Sequence, residues 1–173
     1  EGTVMGLAAY GEPRYGREFE KLVKIYENGS FQLDMSYFTY TRGATMYGNK
    51  LIELLGQPRL PDAELTQRHQ DIAATLQEKL EEILVTIIRN LIDKTKIRTL
   101  CIAGGTALNC VANGKLLEKV DLDDLFIQPA AGDDGGALGA AQFVNHQLMG
   151  NERIDSFKDC FLGPEYSNTY IQS

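Results

Sequence analysis

Two glycine-containing loops hold the residues whose types and spacing are best suited to chemistry. The first runs from Gly104 to Asn109 as Gly-Gly-Thr-Ala-Leu-Asn, between a predicted strand and a predicted helix. Paired glycines such as Gly104 and Gly105 allow a tight turn and a close approach of a ligand to the main chain. The N–H groups that begin the helix suit a phosphate, and the Asn109 amide can hydrogen-bond a base or ribose. A plain strand-to-helix turn, with Thr106 as N-cap and Asn109 facing solvent, is the alternative.

The second loop carries two adjacent carboxylates, Asp133 and Asp134, with glycines on both sides. We expect Asp134 to cap the helix that follows, which leaves Asp133 free to point across the edge of the sheet. Because no Lys or Arg lies in this loop, a phosphate near two carboxylates needs a cation between them, and a metal is the simplest inference. Two solvated turn aspartates are the alternative. We expect Gly136, Gly139 and Ala140 to reflect close packing of helix on sheet.

The two loops are more informative together than apart. If the strands that precede them are parallel neighbours, both loops leave from the carboxyl ends of their strands and meet at one edge of the sheet. Open α/β sheets bind ligands at that edge. The sequence therefore predicts that the residues around 104 and 133 form one pocket.

The elements that position these loops predict an α/β fold. Buried strands are expected over Thr99–Ala103 and Leu125–Gln128, each followed by a helix, over Ala107–Glu118 and Gly135–Met149. A single long helix of roughly 45 Å is expected from about Ala63 to Lys94. Its apolar residues recur at spacings of three and four, which is typical of a face that packs on a core; they are Ile72, Leu76, Leu80, Ile83, Leu84, Ile87, Ile88 and Leu91.

The first third of the chain predicts a short helix and a β-hairpin. The helix lies in the segment from Met5 to Pro13 and is ended by Gly11 and Pro13. In the hairpin, a three-residue loop Glu27-Asn28-Gly29 pairs Ile25 with Phe31 and keeps the apolar residues on one face. It also places Gly29 where a left-handed residue is needed.

Composition excludes several classes of protein. The 173 residues carry a net charge of −7, which argues against binding to nucleic acid. No apolar run approaches the ~20 residues of a membrane span. Cys101, Cys110 and Cys160 form no CxxC pair, so we expect a reducing compartment, a cytoplasmic location and, for Cys101 and Cys110, burial as small apolar residues. The two histidines, His69 and His146, lie far apart in predicted helices, and neither supports a catalytic triad.

Five separated motifs, in order along nearly the whole chain, resemble the NodU/CmcH-type O-carbamoyltransferases. They are Gly-Thr-Val-Met-Gly-Leu-Ala-Ala-Tyr-Gly (residues 2–11), Asp-Ile-Ala-Ala-Thr-Leu-Gln (71–77), Ala-Gly-Gly-Thr-Ala-Leu-Asn-Cys (103–110), Gln-Pro-Ala-Ala-Gly-Asp-Asp-Gly-Gly-Ala-Leu-Gly-Ala-Ala (128–141) and Leu-Gly-Pro-Glu-Tyr-Ser (162–167). The resemblance implies one lobe of an actin-like ATPase (ribonuclease-H-like) domain, with a mixed sheet, a β-hairpin and a long helix.

The resemblance also implies an activity. Such enzymes convert carbamoyl phosphate and ATP to carbamoyl-adenylate, and pass the carbamoyl group to a hydroxyl of a sugar or antibiotic-type acceptor. By that resemblance Gly104, Gly105 and Asn109 contact the nucleotide, and Asp133 is a ligand of a divalent metal, iron or a similar ion. The segment from Gly2 to Ala8 would border the adenosine pocket.

Two departures from the family pattern shape the expectation. The family supplies its other metal ligands from an HxxxH-type pair that this chain lacks, and the adenylating domain is also missing. We therefore expect residues 1–150 to be the second lobe of the actin-like domain, cut from a longer protein and inactive alone, and residues 151–173 to lead toward the adenylating domain. The alternatives are a lobe of another actin-like protein such as a sugar kinase, a non-catalytic nucleotide-binding module, or a structural lobe that docks a partner.

Overall fold

The computed structural model describes residues 2–41, 43–153 and 164–171. These form two compact units, one made of Glu1–Ile102 and Asn109–Phe126, the other of Ala103–Leu108 and Ile127–Ser173. Cys160 and the Leu162-Gly163 start of the last motif lie outside the described residues. The helices are α1 (Gly2–Ala8), α2 (Gly16–Leu22), α3 (Asn49–Leu55), α4 (Gln67–Thr95), α5 (Cys110–Lys119), α6 (Gly135–Phe143) and α7 (Asn168–Ile171). The strands are β1 (Val23–Ile25), β2 (Phe31–Leu33), β3 (Thr99–Ile102) and β4 (Asp124–Ile127).

The long helix α4 organises the first unit. It runs for 29 residues and begins at a capping box, in which Thr66 and His69 satisfy each other's main-chain N–H groups. The helix ends at Lys96, whose φ of 61° closes it in the left-handed conformation. The predicted start at Ala63 is therefore too early, because the cap at Thr66 sets the boundary.

Two apolar clusters anchor on or near α4. In the first, Val85 and Ile88 of α4 pack against Leu116 and Val120 at the α5 end, with Leu100 and Ile102 of β3 beside them. In the second, the buried residues are Phe19, Leu22 and Tyr37, and the partly buried ones are Tyr15, Phe38, Leu51, Leu54, Leu55 and Ile72. Of the periodic apolar residues of α4, Ile88 is buried in the first cluster, and Leu84 and Ile72 pack against the first and second clusters. Leu76 and Leu91 are exposed, so the spacing predicts the packing face only in part.

The glycine-punctuated segment after α1 is held against α4. A Cβ at Gly11 would lie 2.1 Å from the carbonyl oxygen of Gln70, so only glycine fits there. The N–H of Glu12 donates to Asp71 Oδ1 over 2.9 Å, and the N–H of Tyr15 donates to Thr75 Oγ1 over 3.2 Å. The first motif therefore has a structural role, docking the start of the chain on α4.

The β-hairpin forms with the predicted register. Strands β1 and β2 are antiparallel, with Val23 opposite Leu33 and Ile25 opposite Phe31. The N–H of Tyr26 donates to the carbonyl of Ser30, which leaves a three-residue loop whose Gly29 has a φ of +82°. Both the loop length and the left-handed glycine are confirmed.

Strands β3 and β4 form a second two-stranded sheet. The N–H of Asp123 donates to the carbonyl of Arg98 before the strands, and the N–H of Gly104 donates to the carbonyl of Ala131 after them. Because equivalent ends are tied together, the strands run parallel, as the sequence predicts. In the part of the chain described, the two sheets share no strand, so they do not form one mixed sheet.

The expected burial of β3 and β4 is wrong. Both strands alternate between exposed and partly buried residues, because only one face of this narrow sheet is covered. Cys101 lies on the open face, and Cys110 begins α5; both are exposed thiols rather than buried apolar residues. The fold is α/β, as expected from the strand–loop–helix pattern. No helix among the described residues is long and apolar enough to cross a membrane.

Candidate functional site

Within the second unit, the turn after β3 and the turn after β4 line one cleft of about 510 Å³. Gly104 contributes from the first turn and Asp133 from the second. The lining residues are Ala103, Gly104, Gln128, Ala130, Ala131, Gly132, Asp133, Gly135, Gly136, Leu138, Gly139 and Gln142. Among the described residues of that lining, Asp133 is the one charged side chain, so this part of the cleft is acidic. The structure thus brings two of the four predicted site residues into one pocket.

The first turn has the geometry that its glycines predict. Gly104 has a φ of +99°, a conformation that L side chains rarely adopt, and its N–H donates to the Ala131 carbonyl over 2.8 Å. Residues Gly105–Leu108 then form one turn of 3₁₀ helix instead of the start of an α-helix. Among the described residues, the N–H groups of Gly105 and Thr106 donate to no other protein group. Two main-chain donors of this turn are therefore available to a ligand.

The second turn enters α6 without a side-chain cap. Asp134 occupies the N-cap position in the right-handed helical conformation, and its carboxylate accepts no capping hydrogen bond. The main chain closes the turn instead, because Gly135 and Gly136 donate their N–H groups to the carbonyls of Gly132 and Asp133. The predicted cap at Asp134 is wrong for this reason. Asp133 is exposed in the cleft, consistent with a carboxylate that is free for a ligand.

The glycines of α6 differ from one another. A Cβ at Gly135 would lie 2.0 Å from the Ala130 carbonyl oxygen, so this position requires glycine. A Cβ at Gly136 or Gly139 would meet nothing within 4 Å. The close helix-to-sheet packing expected for Gly136 and Gly139 is therefore absent from the described residues.

Asn109 belongs to the first unit, where it caps α5. Its Oδ1 accepts the N–H of Ala112 over 2.9 Å, so Asn109, and not Thr106, is the N-cap. The same side chain pairs with Gln77 of α4: Asn109 Nδ2 donates to Gln77 Oε1 over 2.8 Å, and Gln77 Nε2 donates back over 3.1 Å. Gln77 also donates to Glu81 Oε1 over 2.9 Å. Asn109 is thus partly buried and held in place, which corrects the alternative of a solvent-facing side chain.

The Asn109 network leaves a defined capacity for a ligand. Both acceptor positions of Oδ1 are used, by Ala112 and Gln77, and one of the two amide N–H groups is used. No described residue accepts the other N–H of Asn109, so a ligand at this residue must offer an acceptor. Gln77 is the last residue of the motif at 71–77, and that motif is the sequence signal that points to it. Its contact with Asn109 depends on how α4 packs against α5, which the motif does not reveal.

A complete metal site is not formed by the described residues. No three His, Cys, Asp or Glu side chains among them are placed to hold one ion. Asp133 offers at most one carboxylate, which cannot satisfy a divalent cation alone. The two histidines serve other purposes: His69 belongs to the capping box of α4, and His146 contacts the Asn151 carbonyl over 2.9 Å. Burial, and then the charges of Arg68 and Arg59, lower the pKa of His69.

A smaller cavity of about 180 Å³ lies in the first unit, between α3 and the start of α4. Its walls are mainly apolar, with Leu51, Ile52 and Leu55 among them. The Arg68 guanidinium on its rim donates to the carbonyls of Leu55 and Gln57, and so serves to cap the end of α3. This cavity holds none of the predicted site residues.

A glycine turn and an acidic turn thus share one cleft in an α/β protein. The chain matches the family described as carbamoyltransferase N-terminus over residues 1–142, and it belongs to that family. This assignment confirms the resemblance drawn from the five motifs.

Individual relatives agree with the family. The chain is 43% identical to the uncharacterized Synechocystis protein sll1178 over 100% of this chain and 29% of that protein. It is 37% identical to nodulation protein NolO of Bradyrhizobium diazoefficiens, over 97% of this chain and 29% of the relative. It is 36% identical to nodulation protein NolNO of Sinorhizobium fredii, over 95% and 23%. The chain thus spans less than a third of the length of these relatives.

Proposed function

We propose that the full-length protein is an O-carbamoyltransferase that uses carbamoyl phosphate and ATP, through carbamoyl-adenylate, to carbamoylate a hydroxyl of a sugar or antibiotic-type small molecule. Membership of the carbamoyltransferase family supports the transfer of a carbamoyl group. In the transfer step, the acceptor oxygen bonds to the carbamoyl carbon, the bond from that carbon to the adenylate oxygen breaks, and AMP leaves as the hydroxyl loses its proton.

One observation carries the proposal at the level of the site: Gly104 and Asp133 line the same cleft. Gly105 and Thr106 follow Gly104 directly, and we propose that their N–H groups, which no described residue accepts, donate to ligand oxygens. Such donors are fixed before the ligand arrives, so they cost little reorganisation when charge develops on an oxygen. We assign the adenylate to this cleft.

Asp133 is proposed as a metal ligand of the full-length protein. Its carboxylate is exposed in a cleft whose described lining residues include no lysine or arginine, and such a group is one that a divalent ion binds. Because the described residues supply no second ligand, we propose that the rest of the set comes from other parts of the full-length protein. When bound, such an ion would polarise the carbonyl to be attacked. The described residues themselves orient the ligand and place the negative charge of Asp133 beside it.

From the family resemblance, Asn109 is also proposed as a nucleotide contact, through the amide N–H that no described residue accepts. That group can donate to a ring nitrogen or to a ribose oxygen. The pairing with Gln77 fixes the direction of the amide, so the contact would need no rearrangement of the side chain. We also propose that these residues form part of an actin-like domain, and that the full-length protein carries an adenylating domain.

Mass spectrometry of product tests the function. The full-length protein is incubated with carbamoyl phosphate, ATP and a panel of hydroxylated acceptors, and each product is examined for the mass of one added carbamoyl group. The proposal expects such a product together with AMP, and none without ATP. A product that forms equally well without ATP, or the absence of any carbamoylated acceptor across sugars and antibiotic precursors, would contradict it.

A further inference from the structure

A glutamate is buried where α4 packs against α5. Glu81 of α4 has only 9% of its surface exposed, and its Oε1 accepts a hydrogen bond from Gln77 Nε2 over 2.9 Å. The cation whose charge it affects, Lys115 of α5, pairs with Glu118 over 2.6 Å instead. The pKa of Lys115 is raised first by that bond to Glu118, and to a smaller extent by the charge of Glu81. Burying a carboxylate without a close counter-ion is costly, so Glu81 needs an explanation other than stability.

Glu81 is the end of a chain of amide hydrogen bonds. Both N–H groups of Gln77 Nε2 are used, one by Glu81 Oε1 and the other by Asn109 Oδ1 over 3.1 Å. Gln77 Oε1 in turn accepts from Asn109 Nδ2 over 2.8 Å. Because a carboxylate offers only acceptors, Glu81 holds the nitrogen of Gln77 toward itself, and a charged acceptor makes the stronger hydrogen bond. The oxygen of Gln77 is thereby kept for Asn109.

Asn109 is consequently held by two elements. Its Oδ1 accepts the N–H of Ala112 at the start of α5, while its amide pairs edge to edge with Gln77 of α4. The bond from Ala112 alone would leave the amide plane free to turn about Oδ1, whereas the pair with Gln77 fixes the plane. The N–H of Asn109 that no described residue accepts therefore has one direction. A donor that is fixed before its ligand arrives loses less conformational freedom on binding.

We propose that Glu81, acting through Gln77, is a positioning residue that keeps this N–H of Asn109 aimed at an acceptor of the bound nucleotide. The inference rests on the nucleotide contact proposed above for Asn109. Glu81 does not touch the ligand in this account. Its buried charge orders the two amides, and so makes the contact of Asn109 with the nucleotide stronger.

The test measures the affinity of the full-length protein for AMP, the product that leaves in the proposed transfer step, by isothermal titration calorimetry. Glu81→Met removes the acceptor at similar volume, and we expect it to weaken AMP binding about fivefold. Its melting temperature should stay unchanged or rise, because a buried charge has been removed. Glu81→Gln keeps an acceptor oxygen and should retain most of the affinity. The matched control is Glu78→Met, on an exposed position of α4, which should leave AMP binding unchanged.

A second background separates positioning from a general structural role. Asn109→Ser retains a side chain that can cap α5 but has no amide, so it should itself weaken AMP binding. In that background Glu81→Met should change the affinity by less than about twofold, because the group that Glu81 positions is gone.

Three results would overturn the proposal. They are an unchanged affinity in Glu81→Met, an unchanged affinity in Asn109→Ser, or an equal loss from Glu81→Met in both backgrounds. The function proposed above is judged separately, by the carbamoylated product. AMP affinities that follow the expected pattern in a protein that transfers no carbamoyl group would contradict that function and support the positioning role.

Discussion

The main-chain N–H of Gly104 donates to the carbonyl oxygen of Ala131 over 2.8 Å. This bond ties the turn after β3 directly to the turn after β4, and Gly104 itself adopts a φ of +99°, which a glycine tolerates. A site assembled from the two turns therefore has a fixed relationship between Gly104 and Asp133. Because the two turns are hydrogen-bonded to each other, residues of these turns and of α6 are enough to line the cleft.

Substitutions at the two adjacent carboxylates, Asp133 and Asp134, should differ in their effect on carbamoyl transfer. Asp133→Asn in the full-length protein should abolish carbamoyl transfer with little change in melting, since its carboxylate holds no protein group. Asp134→Asn is the matched control. Because Asp134 makes no capping hydrogen bond, its replacement should change the free energy of unfolding by less than about 0.5 kcal/mol and leave transfer intact. Equal activity of the two variants would refute the role of Asp133.

Adjacent glycines of α6 should respond with opposite signs. Gly135→Ala places a methyl group 2.0 Å from the Ala130 carbonyl oxygen, which should destabilise the helix by about 1–3 kcal/mol. Gly136→Ala meets nothing within 4 Å and should stabilise it by about 0.5–1 kcal/mol, since alanine favours a helix over glycine. Native-state hydrogen exchange of the α6 amides measures both changes. The same sign for both variants would contradict the described entry into α6.

Asn109 and Gln77 should be energetically coupled. Asn109→Ala removes the cap of α5 and should lower the local stability by about 1 kcal/mol. Gln77→Ala breaks the same pair of hydrogen bonds, so the double variant should cost less than the sum, with a coupling of at least about 0.5 kcal/mol. Hydrogen exchange of the α5 amides reports each value. Additive effects would show that the two side chains act independently.

Acid should weaken the attachment of the first motif to α4. The N–H of Glu12, and then the Gln67 side chain, hold the pKa of Asp71 below its ordinary value, with a smaller effect from Arg14. A lowered folded pKa means that the stabilisation is present above the unfolded value of about 3.9 and is lost as pH falls through the folded pKa. The melting temperature of wild type should exceed that of Asp71→Asn at pH 6, and the difference should shrink toward pH 3. A difference that is constant over this range would rule out the carboxylate as its source.

Local patterns predicted several features of the fold well. The hairpin register follows from alternating apolar residues and one Asn-Gly loop, and the long helix follows from its three-and-four spacing, so both depend only on nearby residues. The parallel pairing of β3 and β4 was also expected from the strand–loop–helix order. These features needed no knowledge of distant contacts.

Other features depend on contacts and backbone conformations that the sequence pattern does not reveal. Thr106 and Asn109 are both good N-cap residues, and the 3₁₀ turn between them decides in favour of Asn109. Asp134 fails to cap because the chain enters α6 already in a helical conformation. The exposure of Cys101 follows from a sheet face that the described residues do not cover. Gln77 was missed as a candidate because its importance lies in its hydrogen bonds with Asn109, a partner far along the chain.

The most direct test of the central claim is hydrogen exchange of the full-length protein with and without carbamoyl phosphate and ATP. The account predicts that exchange slows together in the peptides that contain Gly104–Leu108 and Ala130–Gly139, because both turns contact one ligand. The effect should weaken in an Asp133→Asn variant. Protection of only one of these turns, or protection centred instead on the cavity beside α3, would contradict a shared site.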